Sequence, residues 1–427
     1  MSTRNVLWTA SWYGWVFAED FIRFKALTTS SGELKVPTAW YSHTCSQNCW
    51  YNWHINYDGW EYVQYVWTGW TWASKCITIA TWLEPNSEHI VELRTYDILN
   101  NYWWALAFWW YNSGIADRLL EIIVDSTYLW FAVDATTTGN YFRYAQYRWC
   151  TNLRNAYEEY LPATVLDTWE NFRCYQYCDC RSLLVPWTES APNSIIEIKQ
   201  NFRMHQYDGC TSLRNSSVEV MPNTVTVIWA HFRWWQYCNC TSITTAAAEV
   251  LPPTLQTIKA DFRCSQYQNC TSLVTVSDEY MPDTVTVIHD QFRLSQFMWC
   301  TSLEYAPKEY ISQNLEYWVN SSWTANRWFH YRHEQYRNCP KLKEVHIMSM
   351  PETFIWGNNY CRCDSFTYAW SQSWWITFYF SWPRVEQWDS GPAYSIWWIA
   401  HIYVPMDLVD AYKNSYWRSW SNLIEWY

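Results

Sequence analysis

Three features of this sequence predict a mainly-β chain: a solenoid of about seven 30-residue turns preceded by a β-sandwich domain. The signature FRxxQYxxC recurs with a fixed period of 30, the anchors between its copies are small or apolar, and the segment before it reads as short β-branched and aromatic runs broken by turn residues. The chain has 427 residues, 49% hydrophobic and 16% charged, a composition that excludes disorder as the main state. Against 29 Lys and Arg stand 40 Asp and Glu, for a formal charge of −11. That balance supplies no basic field for a polyphosphate backbone, so nucleic acid is excluded as a partner. No run of eighteen apolar residues and no basic, then apolar, then small-residue start is visible, which predicts neither a membrane span nor a secretory leader.

Three regions follow from the pattern, at 1–138, 139–345 and 346–427. In the first, Glu61 to Val66 and Cys76 to Ala80 read as strands. Asp117 to Asp125 (DRLLEIIVD) reads as a short helix leading into the first repeat. Within the second, Phe142, Phe172, Phe202, Phe232, Phe262 and Phe292 open successive units. A seventh copy, with Tyr331, Arg332, Gln335, Tyr336 and Cys339, follows an expansion around Asn320 to Trp328. Leu153, Leu183, Leu213, Ile243, Leu273 and Leu303 form one apolar row; Val165, Ile195, Val225, Leu255, Val285 and Leu315 form another. A unit this short cannot bury its own apolar side, so neighbours must stack and share a core, each turn carrying a short strand about 4.8 Å from the next. The third region reads as an irregular repeat and a cap, with Asp407 as helix N-cap and Leu408, Val409 and Tyr412 at helical spacing.

A constant period turns each recurring residue into a column along the stack. One column is Arg143, Arg173, Arg203, Arg233, Arg263 and Arg293, and another is Glu159, Glu189, Glu219, Glu249, Glu279 and Glu309. Like charges about 5 Å apart repel by roughly 0.8 kcal/mol per pair even in water, so each Arg is predicted to pair with a Glu of its own or the next unit. The alternative reading is a charged stripe that recognises a ligand carboxylate or sugar. Gln146, Gln176, Gln206, Gln236, Gln266 and Gln296 form a third column, whose amides can hydrogen-bond along the stack, with ligand binding as the alternative. Cys150, Cys180, Cys210, Cys240, Cys270 and Cys300 form the fourth. Side chains in a ladder point the same way, whereas a disulfide needs converging vectors, so these cysteines are predicted to be buried free thiols.

Tryptophan and glycine are out of proportion: 37 Trp stand beside 9 Gly, where glycine averages about 7%. The residue before each ladder cysteine is Trp149, Asp179, Gly209, Asn239, Asn269 and Trp299. Gly, Asn and Asp tolerate a left-handed backbone and Trp does not, at a cost of about 1–2 kcal/mol. Trp82, Trp60 beside Gly59, Trp70 and Trp72 beside Gly69, and the pairs Trp103-Trp104 and Trp374-Trp375 fall at similar turn-like places. One reading is that many of these are glycines in the source, from a stop codon read there as Gly; glycine would then reach about 11%. The other is a tryptophan-rich adhesive surface, since Trp and Tyr are favoured at interfaces. A surface so rich in indole would favour aggregation.

The metal-like cluster His43, Cys45, Cys49 and His54 has the spacing H-x-C-x3-C-x4-H, which is not an established zinc pattern; free residues or a Cys45–Cys49 disulfide are the competing readings. Cys361 and Cys363, flanking one arginine, form no better set. No catalytic, cofactor-binding or metal-binding constellation emerges.

The order F-R-x-x-Q-Y-x-x-C-T-S-L, then L-P or M-P, then T-V-x-x-I resembles the BspA-like, treponemal-type leucine-rich repeat family over about half the chain. The 30-residue unit is longer than the usual 20–29. Leu83 to Leu93 resembles the fibronectin type III strand that follows a Leu-x-Pro turn, with His89 where that family has its corner tyrosine. The repeat resemblance implies a surface or secreted protein that adheres to protein or glycan ligands without catalysis or cofactor. A phage or virion receptor-binding appendage and a metal-dependent hydrolase using His43 and the nearby thiols are the alternatives. Specificity is expected from variable positions such as Tyr144 and Ala145, Trp234 and Trp235, or Leu294 and Ser295.

Overall fold

The computed structural model describes residues 17–37, 49–57, 60–68, 76–98, 116–125, 142–157, 161, 163–186, 191–217, 219–247, 249–315, 317–319, 334–347, 376–380, 399–414 and 416–427. Strands dominate, and the one α-helix among these residues, Val409–Lys413, is five residues long.

The N-terminal region contributes β1 (Phe17–Leu27), β2 (Leu34–Pro37), β3 (Cys49–Tyr57), β4 (Trp60–Thr68), β5 (Cys76–Ala80), β6 (Glu88–Ile98) and β7 (Leu119–Asp125). Five form an antiparallel sheet in the order β4-β3-β6-β1-β7, and β2 pairs with β5 in a second, two-stranded sheet. Strand β1 alternates with period two: Ile22, Phe24 and Ala26 are buried, while Arg23 and Lys25 face outward to Glu92, Glu88 and Glu121. The buried side joins Leu34 of β2, Ile79 of β5 and Val91 of β6 in one cluster. Gly32, at φ +75°, closes the β1–β2 turn, where a Cβ would lie 2.1 Å from the Leu83 carbonyl oxygen.

The DRLLEIIVD segment is not a helix. After one 3-10 turn at Ala116–Arg118 it runs as β7, with Ile122 and Glu121 in register with Phe24 and Lys25 of β1. Its β-branched residues and the open edge of β1 outweigh a helical propensity that eight or nine residues cannot express alone. The second edge of β7 meets the first repeat. Arg154 N donates to Leu120 O at 2.9 Å, and the Asn155 amide closes both sides of Ile122 at 3.0 and 2.9 Å.

From Phe142 onward, successive 30-residue coils stack in parallel. One row of two- and three-residue strands pairs Asp167 with Glu197, Glu197 with Val227, Val227 with Thr257, Thr257 with Val287 and Val287 with Tyr317. A second row pairs Glu219 with Glu249 and Glu279 with Glu309. It then continues through Glu344–Ile347, Ile376–Phe380, Ile399–Val404 and Ile424–Trp426 as one eight-stranded parallel sheet. The C-terminal region therefore adds rungs to the sheet of the repeats. Asp407 lies inside the 3-10 turn Met406–Leu408 rather than capping the helix, because Pro405 starts that turn one residue early; the cap position falls to Leu408, which makes no side-chain cap bond.

Two apolar cores run along the stack. Tyr147, Cys150 and Leu153 and their counterparts fill one, which is continuous with the N-terminal cluster; Phe142, Val165 and the Ile198 and Leu161 columns fill the other. Phenylalanine rings stack at 5.1, 5.0, 5.5, 5.3 and 5.2 Å from Phe142 to Phe292. The tyrosine column continues from Phe297 to Tyr336 at 5.7 Å, so the coil after the sequence expansion keeps its register.

Candidate functional site

Beside the two cores lies a seam of buried polar side chains: Arg from the second position of each coil, Gln from the fifth, and Glu279 from the strand row. At the one carboxylate of the Glu column whose side chain is described, Glu279, Oε1 meets Arg263 Nη2 at 2.8 Å and Oε2 meets Arg293 Nη1 at 2.7 Å. Arg263 belongs to the same coil and Arg293 to the next. All three side chains are about 97% buried or more, so the group is a desolvated Arg–Glu–Arg bridge across two coils. Glu159 and Glu189 lie outside the described residues, as do the side chains of Glu219, Glu249 and Glu309.

The glutamine amides form an unbroken chain. Gln176 Nε2 donates to Gln146 Oε1 at 3.4 Å, and the link repeats at 3.2, 3.2, 3.1 and 3.4 Å up to Gln296, with Gln335 adding one more at 3.1 Å. Two arginines brace it: Arg143 Nη1 to Gln146 Oε1 at 2.8 Å and Arg263 Nε to Gln266 Oε1 at 2.7 Å. Each guanidinium also sits 4.7–5.9 Å from the centre of the phenylalanine ring beside it. At 0–3% exposed, the Arg and Gln columns present no surface to a ligand.

This seam depends on an unusual backbone. Residues 171, 173, 175 and 179 have φ of +62°, +53°, +56° and +60°, and their neighbours stay on the negative side. The left-handed residues send their N–H groups along the stack: Tyr175 to Met204 O at 2.9 Å, Asp179 to Asp208 O at 2.7 Å, and Arg173 back to Phe142 O at 2.7 Å. The even residues close tight turns, as Gln176 N does to Arg173 O at 3.3 Å. Left-handed L-residues cost about 1–2 kcal/mol each, which cross-coil bonds of about 1 kcal/mol and the burial of one Phe and one Tyr per coil offset.

The ladder cysteines are free and buried. Each thiol donates to a carbonyl of the preceding coil: Cys180 to Tyr147 O, Cys210 to Tyr177 O, Cys240 to Tyr207 O, Cys270 to Tyr237 O and Cys300 to Tyr267 O, all at 3.0–3.1 Å. Cys339 makes the same bond to Phe297 O at 3.1 Å. Burial pushes these thiols well above the ordinary range, with Cys339 at about 12. None is poised as a nucleophile or a metal ligand.

The variable positions divide. Tyr144, Trp234, Trp235 and Leu294 are half-buried, whereas Ala145 and Ser295 are buried between coils. In the coils where the fourth position of the signature is large, it forms a ring file, Tyr175 to His205 at 4.5 Å and His205 to Trp235 at 4.6 Å. His43 and Cys45 and the side chains of Cys49 and His54 lie outside the described residues, as do Cys361 and Cys363. Among the described residues, no group of three or more His, Cys, Asp or Glu is placed to hold a metal. None of their helices is long and apolar enough to cross a membrane.

The exposed face that spans the most rungs belongs to the eight-stranded sheet. Tyr280, 56% exposed, stacks on Tyr310 at 4.4 Å, above Val250, which is 60% exposed. Farther along, His346 stacks on Tyr379 at 4.5 Å and Tyr379 on Tyr403 at 5.1 Å, with Tyr427 meeting Tyr379 edge-on. Charged groups lie beside the rings: Lys343 pairs with Glu304 and sits 5.5 Å from the Tyr305 ring, and His401 faces Glu425 at 3.5 Å. Desolvation lowers His346 and raises Tyr379, which keeps both neutral at pH 7. Sequence reasoning missed this face because its rungs beyond Tyr310 leave the 30-residue period; the one signal was tyrosine after the column glutamate in Glu279-Tyr280 and Glu309-Tyr310.

Comparison with family models, with curated proteins and with solved structures finds no match for this chain.

Proposed function

We propose that this chain is a leucine-rich-repeat solenoid of the BspA-like kind, and that it works as a non-enzymatic adhesion protein on a cell surface, holding a protein or glycan ligand against the eight-stranded sheet. The observation that carries the reading is a pair of ring stacks on this sheet, Tyr280 on Tyr310 in the repeats and His346, Tyr379 and Tyr403 in the C-terminal rungs, half-buried apart from Tyr280. Tyrosine gives large amphipathic contact area with only two side-chain torsions to fix, which makes it a common anchor of binding surfaces. Stacking fixes those torsions before any ligand arrives, so less ordering cost remains at binding. The order of repeat anchors and the in-register coils support the solenoid assignment, and the buried, ion-paired seam supports a scaffold role for the Arg, Glu and Gln columns.

An array of glycans and extracellular-matrix proteins tests this. Binding by the full chain that falls at least about tenfold in Tyr280→Ala/Tyr379→Ala is the expected result. Binding that survives this double substitution unchanged, in a variant with an unaltered unfolding midpoint, removes the sheet face from the reading.

A further inference from the structure

Four columns of the signature are left-handed; two of them, the arginine column and the one before the ladder cysteine, differ in how far side-chain burial adds to their cross-coil backbone bonds. At the arginine column φ is +53° to +58°, and every side chain is buried in the polar seam. In the column before the ladder cysteine φ is +60° to +74° at Asp179, Gly209, Asn239 and Asn269, the three residue types for which that conformation is cheap. Trp149 and Trp299 occupy this same column at +62° and +65°, with 44% and 43% of their surface exposed. The column also offers little room: at Gly209 a Cβ would lie 2.7 Å from Asp179 Oδ1. Trp82, outside the repeats, repeats the combination in stronger form, at φ +66° and 95% exposed in the turn after β5. A bulky side chain at positive φ is a steric outlier, and burial repays it almost nothing at Trp82 and only in part at Trp149 and Trp299. Trp149 does bond Asp179 through Nε1 at 3.1 Å and stacks under Arg148 at 4.4 Å, contacts that solvent screens.

We propose that the protein made in its source carries glycine at positions 82, 149 and 299, inserted at a codon that its own ribosomes read as glycine and the standard bacterial-type readings give as stop or tryptophan. The assignment is limited to these three sites; Trp235 is left-handed too, at +55°, but it is half-buried in the ring file, 4.6 Å from His205. Trp229, 40% exposed, has an ordinary negative φ and stacks between Lys199 Nζ at 5.3 Å and Lys259 Nζ at 5.8 Å, so backbone geometry makes no demand for glycine there. The proposal is independent of what the sheet face binds.

Peptide mass spectrometry on protein isolated from source cells reads the three positions directly. Glycine at 82, 149 and 299 is the expected result, and tryptophan at any of them overturns the proposal. A second measurement needs only recombinant chain. Trp82→Gly, Trp149→Gly and Trp299→Gly should each raise the folding equilibrium constant about threefold or more, because relief of the left-handed strain exceeds the added freedom of the unfolded chain. Trp229→Gly should leave it unchanged or lower it. An equal gain at Trp229, or a loss at the three sites, shows that backbone handedness is not the cause and also overturns the proposal.

Discussion

The arginine column and the column that holds Trp149 and Trp299 share a left-handed backbone with cross-coil N–H bonds and differ in where their side chains lie. Arginine at φ near +55° is the last residue that local sterics would place there, yet it recurs in six coils, because its guanidinium lies in a desolvated seam with Glu279 at 2.7 and 2.8 Å and with the glutamine amides. Six positions on, where side chains reach toward solvent, four coils use Asp, Gly or Asn and two carry Trp. A left-handed arginine is tolerated where buried side-chain interactions add to the cross-coil bonds; where the side chain is not buried, four of six coils use residues for which that backbone is cheap.

The sharpest way to break the comparison is Arg263→Gly, which removes the strain and the cation together. If strain dominated, the variant would gain stability; the expected outcome is a loss of about 3 kcal/mol in denaturant unfolding, since half of the buried Glu279 pairing disappears. Alkaline pH probes the other wall of the seam. The Cys339 thiol is raised by burial from 9.0 to about 12, so its contribution is complete below pH 9 and declines as the unfolded chain ionises above it. At pH 11 the expected loss from this one thiol is about 2–3 kcal/mol, checked by unfolding midpoints of the parent and of Cys339→Ala across pH 8 to 11; a parent curve that stays flat over that range contradicts it. Gln236→Ala interrupts the amide chain at its middle and should cost about 1–3 kcal/mol, with Gln206 Oε1 losing its donor. Smallest is Asn239→Gly, in the exposed left-handed column, which should shift stability by only a few tenths of a kcal/mol; a loss comparable to Gln236→Ala would show that this column, too, is held by its side chains.

Periodicity made much of this legible. Opposite charges at two fixed places in a 30-residue unit pointed to the contact that Glu279 makes with Arg263 and Arg293, and parallel ladder vectors pointed to thiols that are free at the described ladder positions. What sequence did not show was the environment. Nothing in F-R-x-x-Q-Y says that the arginine is interior or left-handed, because its partners come from the neighbouring coils and its backbone is selected by bonds such as Arg173 N to Phe142 O. DRLLEIIVD looked helical because its strand character comes from β1 on one edge and Asn155 on the other, both distant in sequence. The second ring stack was hidden for the same reason: His346, Tyr379 and Tyr403 come together only through the irregularly spaced rungs after the repeats.

The glutamine chain also gives the molecule a direction. Every link donates from the later coil to the earlier one, and every ladder thiol reaches the same way. A coil inserted or deleted as a whole unit therefore meets a head that accepts and a tail that donates wherever it enters, so arrays of different reach can arise by gene duplication without any new contact being invented.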